Sequence, residues 1–244
     1  MGKKYTTLVI IIIVSIVAFA ALGIMTIYRL SILQKVIAKN RSNAEINNYR
    51  LISKLTIGDQ KEASSLTAYY KDGVGKIVVS NGLYTWSNGD RAYLIDDTNR
   101  IAYVQPIENA TNLASYDYFM SSIPGYNSFW SRVKMAFYWK NKVKKVDYEG
   151  QSCYLISKVE DKVEKTVWVN QNTGKVIRAT IDFNGELTYT YEFDIQFNVT
   201  TTADVALPRM SDYATKTQND LNEILQKDFN SGTTEAVNTI ENQE

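Results

Sequence analysis

Twelve residues near the C-terminal end of the chain, from Leu187 to Asn198, read LTYTYEFDIQFN and alternate apolar and polar side chains without exception. A period of two places the apolar side chains on one face of a β-strand, whereas in a helix the same spacing would distribute them around the helix. At about 3.3 Å per residue the strand is roughly 40 Å long, and a twisted sheet of that length curls around whatever its apolar face covers. The stretch therefore predicts a long strand in a strongly curved sheet.

Further strand-like runs, separated by turn dipeptides, precede this stretch in two groups. Asn-Gly and Asp-Gly pairs between such runs favour tight hairpins, because these residues tolerate the positive φ that the turns require. The first group comprises 66–70, 76–80, 83–87, 92–96 and 101–105, and the second comprises 143–148, 152–157, 166–170, 175–182 and 187–198. Each group predicts an antiparallel meander.

Helical spacing occurs in four segments outside these groups. The segments predicted to be helical are 29–40, which ends at a break over 40–43, then 44–55, part of 106–145, and 220–229. In 44–55, Ile46, Tyr49 and Ile52 recur at a spacing of three, which is typical of one stripe of an amphipathic helix. In 106–145 the corresponding stripe includes Trp130 and Phe137. The last segment leads into a polar tail that is expected to be disordered.

An apolar run without a charged side chain occupies residues 5–28, between Lys4 and Arg29. A helix rising about 1.5 Å per residue needs about 20 apolar residues to cross a hydrocarbon core of roughly 30 Å. The run is therefore predicted to be a transmembrane signal anchor. A cleaved signal peptide is the alternative, since the small residues of Ala18-Phe19-Ala20 suit a peptidase. Against it, the apolar run continues well past that site.

The basic residues that flank the apolar run favour one orientation and the size of the domain favours the other. Two basic residues precede the run and four follow it, namely Lys3, Lys4, Arg29, Lys35, Lys39 and Arg41. This bias alone would keep the large domain inside the cell, but long domains tend to translocate regardless of their charge. The short basic tail also resembles that of a signal anchor. We therefore expect a single-pass protein of the cell membrane with an extracytoplasmic domain.

Charge and residue types exclude several classes of function. Beyond Lys3 and Lys4 the chain carries 25 of its 27 basic side chains and all 26 acidic ones, so no nucleic-acid partner is expected. The absence of histidine removes Ser-His-Asp and Cys-His catalysis and the usual zinc ligand sets. Cys153 lies in a strand-like run and is predicted to be a small buried side chain. No catalytic residue, metal or cofactor is therefore expected.

Two pairs of adjacent carboxylates, Asp96-Asp97 and Glu160-Asp161, are the remaining material for a catalytic site. Both pairs fall in predicted turns, where carboxylates commonly accept hydrogen bonds from nearby backbone groups. An enzyme with a site made of carboxylates alone is thus the weakest of the functional alternatives.

One segment combines basic and aromatic side chains. Its candidate membrane-surface residues are Arg132, Lys134, Lys140, Trp130 and Trp139. Such a mixture is typical of helices that rest on anionic membrane surfaces. A helix that covers a sheet also needs an aromatic face and a solvated basic face, and this simpler interpretation is favoured.

The order of elements and several short motifs resemble those of the lipoprotein-carrier (LolA-like) fold and related lipid-binding envelope proteins. The motifs are Tyr70-Lys71-Asp72-Gly73, Tyr84-Thr85-Trp86-Ser87-Asn88-Gly89-Asp90, Val167-Trp168-Val169-Asn170-Gln171-Asn172-Thr173-Gly174-Lys175-Val176 and Asp204-Val205-Ala206-Leu207-Pro208. The resemblance covers residues 44–213. It implies an α+β, predominantly antiparallel fold, in which a strongly curved sheet forms an incomplete barrel with covering helices and an apolar cavity for acyl chains.

The chain also departs from the family pattern. The carrier is a free, shuttling protein, and related lipoproteins are anchored through a lipidated cysteine, but no cysteine lies near the apolar run of this chain. The predicted organisation is a tail (1–4), a signal anchor (5–28), a juxtamembrane helix and linker (29–43), a LolA-like half-barrel domain (44–214), and a polar helix with a disordered tail (215–244). Shuttling is not expected of a protein tethered in this way.

These observations lead to two functional hypotheses. The first is a membrane-tethered, extracytoplasmic, non-catalytic module that holds a lipid or the acyl chains of a lipoprotein. Its candidate cavity-lining residues are Trp86, Trp168, Tyr189, Tyr191, Phe193, Ile195 and Phe197. The second is an envelope sensor or protein-interaction domain with the same fold and no lipid cargo, because the same alternating strand also suits a filled barrel core.

Overall fold

A computed structural model describes residues 2–58, 64–80, 82–106, 123–217 and 219–220. The helices that lie entirely within these residues are α1 (Gly2–Ala44) and α2 (Phe129–Phe137), and a short 3-10 turn spans Met210–Asp212. The strands are β1 (Asn48–Ile57), β2 (Ser64–Lys71), β3 (Val74–Ser80), β4 (Leu83–Ser87), β5 (Ala92–Asp96), β6 (Ile101–Val104), β7 (Lys142–Tyr148), β8 (Gln151–Glu160), β9 (Val163–Asn170), β10 (Val176–Phe183), β11 (Leu187–Phe197) and β12 (Ala214–Lys216).

The strands follow one another in a single hydrogen-bonded order, β12-β6-β5-β4-β3-β2-β1-β11-β10-β9-β8-β7. Strands β2 to β6 form one antiparallel meander and β7 to β11 form a second, while β12 pairs with β6 in parallel. The predicted fold class is confirmed, because mostly antiparallel strands make one large, unclosed, curved sheet, with a short helix and an N-terminal apolar helix.

The ten predicted strands are all present, and two of the described turns between them show the predicted chemistry. At the β2–β3 turn, Asp72 and Gly73 have φ values of 49° and 86°. At the β10–β11 turn, Asn184 and Gly185 have φ values of 56° and 77°. Two consecutive residues with positive φ are what the two-residue type I′ turn between β2 and β3 requires, whereas three residues, 184–186, connect β10 to β11. These turns therefore bring the flanking strands together in the register that the alternation demands.

The predicted helix over 44–55 is wrong, because this segment forms β1. Its apolar residues also alternate at a spacing of two, and the side chain of Tyr49 is buried. The Tyr49 ring stacks on Tyr70 with centroids 5.3 Å apart and meets Phe197 edge-on at 6.5 Å. The spacing of the apolar residues in 44–55 is compatible with a helix and with a strand. The packing of Tyr49 against residues distant in the sequence favours the strand.

The predicted break over 40–43 is also wrong, since α1 continues to Ala44. The buried side chain of Asn40 donates to the carbonyl oxygen of Val36 within the helix, at 2.8 Å. Asn43 donates to the carbonyl oxygen of Thr173 at 3.1 Å. These amides find hydrogen-bond partners without interrupting the helix, so their preference for turns is not expressed here.

The two parts of α1 have different surroundings. Apolar side chains in its N-terminal part, including Val17, Phe19 and Ile24, are exposed. Burial begins near Ile32, and the buried stripe consists of Ile32, Leu33, Val36 and Ile37. Among the described residues, one helical stretch, Ile13–Asn43, is long and apolar enough to cross a membrane. A membrane anchor and a signal sequence both meet that criterion.

The chain divides into two compact units. The first consists of Met1–Ile46, Ile52–Ser65 and Tyr116–Ile195. Register places Val143, Ile156 and Val167 side by side on one face of β7 to β9, and all three are buried. Helix α1 contacts β7 and α2, so its buried stripe belongs to the same unit. The C-terminal part of α1 is therefore a core element of the first unit.

The second unit consists of Asn47–Leu51, Leu66–Ser115 and Gln196–Glu244. Its core cluster contains Tyr84, Trp86, Ile95, Ala102 and Tyr213. The Tyr213 hydroxyl group contacts Asp97 and Arg100, which lie in the turn between β5 and β6. The predicted C-terminal helix and tail from residue 221, and the part of the predicted helical insertion over 107–122, lie outside the described residues.

Candidate functional site

The first unit contains an open cleft of about 1450 Å³. One wall is α2 together with the segment 123–128 that precedes it, and the floor is formed by the ends of β8, β9 and β10. Its apolar lining consists of Ile123, Met135, Val159, Val163, Ile181 and Phe183, with Trp130, Phe137 and Tyr138 on the helical side. The cleft therefore has a mixed lining, in which these apolar side chains lie among polar and charged ones, and it opens to the surface of the unit.

Local hydrogen bonds position the helical wall. Helix α2 begins after Ser128, whose hydroxyl group accepts a hydrogen bond from the backbone N–H of Ser131 at 3.1 Å. The buried side chain of Asn141 then joins the helix to the floor. It donates to the carbonyl oxygen of Met135 at 3.2 Å and accepts from the backbone N–H of Val159 at 3.2 Å. Because a buried amide is costly to leave unpaired, this link fixes α2 against β8.

Strand register makes the floor continuous with the row of aromatic residues on β11. Val163 lies beside Phe183, and Ile181 lies beside Tyr189. The rings of Phe183 and Tyr189 meet edge-on with centroids 5.7 Å apart. Further along β11, Tyr191 stacks on Phe193 at 6.2 Å with the two ring planes nearly parallel. All these side chains keep some exposure to solvent, so the apolar surface extends beyond the cleft.

Of the predicted cavity-lining residues, Tyr189, Tyr191 and Phe193 share this face next to the cleft. Ile195, on the same side of β11, is buried, and Phe197 belongs to the second unit. The two tryptophans are placed elsewhere. Trp86 is buried in the core of the second unit, and Trp168 lies on the opposite face of the sheet from the cleft.

The position of Trp168 follows from register. Tyr191 lies beside Ala179, which lies beside Val167, and Trp168 is the next residue along β9. Successive side chains of a strand point to opposite faces. On that other face, the guanidinium group of Arg178 lies 5.4 Å from the ring centroid of Trp168. The sequence alone does not show which residue of β9 lies level with Tyr191, so it does not show which face of the sheet Trp168 occupies.

The charged groups around the cleft are mostly basic. Its lining includes Lys134, Lys140, Lys158, Lys162 and Lys165, against Glu160 and Asp161. Lys158 and Glu160 form a salt bridge, and the hydrogen bond from the Lys158 ammonium group holds the pKa of the Glu160 carboxyl below its ordinary value. The remaining excess of lysine gives the rim a positive charge that suits an anionic group of a ligand.

In each carboxylate pair the first residue ends a strand and the second lies in the turn that follows. Asp96 accepts hydrogen bonds from the backbone and side chain of Asn99, which hold the pKa of its carboxyl below the ordinary value. Asp161 lies in the β8–β9 turn with a φ of 47°. The predicted burial of Cys153 is confirmed, and this burial raises the pKa of its thiol. In the described part of the chain, no three Cys, Asp or Glu side chains converge as metal ligands would.

Four of the five candidate membrane-surface residues are exposed at one place. Trp130, Lys134, Trp139 and Lys140 face solvent on α2 and the residues that follow it. Arg132 instead is half-buried, with its guanidinium group 6.0 Å from the centroid of the Phe129 ring. The stripe with Trp130 and Phe137, which was predicted to be the apolar face of this helix, thus points outward. Met135 and Ala136 are buried in its place.

No family model and no curated protein matches the sequence. Among solved structures, the chain is similar to MucB in the MucA/MucB complex of Pseudomonas aeruginosa, with a TM-score of 0.40, 10% identity, and coverage of 78% of this chain and 63% of that chain. A putative outer membrane lipoprotein-sorting protein domain from Vibrio parahaemolyticus matches with a TM-score of 0.31, 11% identity, and coverage of 72% and 95%. A DUF1329 family protein from Desulfovibrio piger matches with a TM-score of 0.34, 9% identity, and coverage of 73% and 95%.

The resemblance predicted from the sequence is confirmed to the extent that a lipoprotein-sorting domain is among these similar structures. The chain spans about three-fifths of the length of the MucB chains that it matches. With TM-scores below 0.5 and identities near 10%, these similarities identify no ligand and no partner for this chain.

Proposed function

We propose that this chain is a membrane-tethered, extracytoplasmic module that holds a lipid or the acyl chains of a lipoprotein in its cleft and catalyses no reaction. The observation that carries this proposal is the open cleft of about 1450 Å³, whose apolar floor residues Ile181 and Phe183 continue into the partly exposed aromatic row of β11. Pockets for compact small molecules usually measure roughly 300–1,000 Å³. The larger volume of this cleft, together with the aromatic row beside it, leaves room for an extended acyl chain.

The chemistry of the cleft fits an amphiphile. Each methylene group that leaves water for an apolar surface contributes about 0.8 kcal/mol, so the lining offers an acyl chain substantial stabilisation. The lysine residues at the rim complement an anionic headgroup. The exposed apolar part of α1 supplies the membrane tether, because a helix of this length and composition is stable across a hydrocarbon core.

Photochemical crosslinking of the full chain tests the proposal. The protein is reconstituted in vesicles that contain a phospholipid with a photoreactive diazirine in its acyl chain, and crosslinked peptides are identified by mass spectrometry. Crosslinks are expected on β9 and β10 as well as on residues 13–28 of the tether. Crosslinks confined to the tether would overturn the assignment of the cleft and favour the alternative, an envelope sensor or protein-interaction domain.

Two substitutions on β10 make the test specific. Ile181→Glu places a carboxylate in the lining and should remove the crosslinks from β9 and β10, while those on the tether remain. Thr180→Glu makes the same kind of change on the neighbouring residue, which points to the other face of the sheet, and should leave all crosslinks in place. Equal losses in both variants would show that the effect is not specific to the cleft.

A further inference from the structure

We propose that the exposed surface of α2 docks on the headgroup region of an anionic bilayer. The docking surface, called the α2 patch, consists of Trp130, Lys134, Phe137, Trp139 and Lys140. This inference rests on the membrane tether of the proposed function, and it adds a second contact between the first unit and the same membrane.

The first argument is the exposure of large rings that a simple covering helix would bury. Trp130 is 71% exposed, Phe137 65% and Trp139 72%, whereas the helix buries the smaller side chains of Met135 and Ala136. An exposed group of large apolar side chains on a soluble domain marks an interaction surface. The side of α2 that faces the core is therefore already packed, and its second, exposed apolar side lacks a partner within the described residues.

The second argument is the position of the patch relative to the tether. Arg29 is the first charged residue after the apolar run 5–28. Its guanidinium group donates to the carbonyl oxygen of Ala136 at 3.1 Å and to that of Tyr138 at 3.4 Å. At about 1.5 Å per residue the run is roughly 36 Å long, slightly more than the hydrocarbon core of about 30 Å. Arg29 thus lies at headgroup depth, and hydrogen bonds hold the end of α2 beside it.

The third argument is the chemistry of the patch. Tryptophan is enriched where hydrocarbon meets headgroups, and lysine side chains extend toward anionic headgroups. From residue 123 to residue 146 the chain contains six basic residues and no acidic one. The Lys140 ammonium group lies 5.5 Å from the centroid of the Trp139 ring, so apolar and cationic groups are combined at one site. This charge complements the phosphates of acidic lipids.

The α2 patch is also part of the cleft. Trp130, Lys134, Phe137 and Lys140 all line the helical wall. A domain that docks through this wall holds the edge of its cleft at the level of the headgroups. An acyl chain then passes between bilayer and cleft over a continuous apolar surface, without a full exposure to water.

Tryptophan fluorescence of the full chain in vesicles that carry a nitroxide quencher on the lipid headgroup tests this inference. Two of the four tryptophans of the chain, Trp130 and Trp139, lie in the patch. Substantial quenching is expected in vesicles with acidic phospholipid. In the Trp130→Phe/Trp139→Phe variant, which retains Trp86 and Trp168, the quenched fraction should fall by at least about half. Emission that the quencher does not affect would overturn the docking, and would leave the patch to a protein partner or a second copy of this chain.

A matched pair of charge-reversed variants tests the role of lysine. Lys134→Glu/Lys140→Glu should reduce quenching in acidic vesicles to the level seen in purely zwitterionic vesicles. Lys144→Glu/Lys145→Glu changes the net charge equally on exposed residues of β7 outside the patch and should retain the wild-type quenching. Equal losses in both pairs would contradict a specific patch and indicate a general charge effect.

Flotation and crosslinking separate this inference from the proposed function. A chain that does not float with vesicles has no tether, which overturns both proposals. A chain that floats with unquenched tryptophans overturns the docking alone, while acyl-chain crosslinks on β9 and β10 still report an occupied cleft. Quenching without such crosslinks supports the docking and removes the lipid-holding function.

Discussion

Trp86 donates its indole N–H to the carbonyl oxygen of Val205, 2.8 Å away, in the interior of the second unit. Both residues are buried, and the Trp86 ring packs at 6.1 Å from that of Tyr93. A tryptophan whose ring is packed and whose only polar group is satisfied has the features of a core residue. This relationship explains why a tryptophan in one of the family-like motifs has a structural role.

Trp86→Phe is expected to destabilise the second unit by about 1–3 kcal/mol, because the Val205 carbonyl oxygen loses its partner in a buried setting. Thermal unfolding in nonionic detergent measures the change. Lipid retention in the first unit should be unaffected at temperatures where the variant is folded. A loss of lipid from the folded variant would instead give Trp86 a direct role in the cavity.

Tyr191→Glu should reduce retention of co-purified lipid at least tenfold, a change that corresponds to about 1.4 kcal/mol. The reason is that a carboxylate beside Phe193 would be desolvated under an acyl chain. Native mass spectra recorded before and after organic extraction measure the retained lipid. Thr190→Glu is the control, since Thr190 pairs with Thr180 on the other face. Retention that survives in both variants would show that β11 does not contact the ligand.

Gly174→Ala should lower the unfolding temperature for two reasons: alanine is strained at a positive φ, and its side chain would collide with α1. An added Cβ atom would lie 2.6 Å from the Cβ atom of Lys39. Gly150 has the same φ of 74° with nothing within 4 Å of an added Cβ, so Gly150→Ala reports the backbone strain alone. We expect the unfolding temperature to fall further for Gly174→Ala. Equal decreases in the unfolding temperature of the two variants would mean that α1 accommodates the added Cβ atom without loss of stability.

Glu164 should stabilise the first unit only above the acidic range. It accepts a hydrogen bond from the Ser157 hydroxyl group at 2.5 Å and from Lys142 at 2.9 Å, and these bonds hold the pKa of its carboxyl below the ordinary 4.5. A carboxyl with a depressed folded-state pKa stabilises above its unfolded-state pKa, and the effect is lost as the pH falls through the folded-state pKa. Glu164→Gln should therefore unfold at a lower temperature than wild type at neutral pH and at a similar temperature in acid. A constant difference across this range would contradict the linkage.

Tyr84 should limit stability at alkaline pH. Burial, with further contributions from Tyr213 and Asp97, raises the pKa of Tyr84 from 10.0 to about 12. A group whose folded-state pKa is raised stabilises fully below its unfolded-state pKa, and this contribution is lost as the pH rises through the folded-state pKa. Between pH 10 and about 12, Tyr84→Phe should thus lose less stability than wild type. Tyr138→Phe, at an exposed ring, is the control and should follow the wild-type curve.

The strands of both meanders were predictable because their signals are local. Alternation over 187–198 and the Asn-Gly and Asp-Gly pairs act within a few residues of the chain. In contrast, 44–55 carries a spacing compatible with both a helix and a strand. Only its pairing in the sheet and the contact between Tyr49 and Tyr70 decide in favour of β1. Such ambiguity is not resolved within the segment itself.

The candidate site was less predictable, because it combines ends of elements that are far apart in the sequence. Ile123, Val159 and Ile181 become neighbours in one cleft through the turns and the hydrogen bonds of Asn141. The sequence predicted strands over 166–170 and 175–182, but it did not show how one strand aligns with the next. The register places Tyr189 and Tyr191 on the face of the sheet beside the cleft and Trp168 on the other face, while a ligand-binding role for any of them stays a prediction.

The unbroken course of α1 has a mechanical consequence. The same helix that carries the apolar run reaches the core of the first unit, where the Lys39 ammonium group donates to the carbonyl oxygens of Gln171 and Asn172. A spanning helix responds to a thinner or thicker bilayer by changing its tilt. In the proposed membrane-tethered protein, the unbroken helix α1 would transmit such a tilt to the first unit, so the thickness of the surrounding lipid would set the angle between the first unit and the membrane.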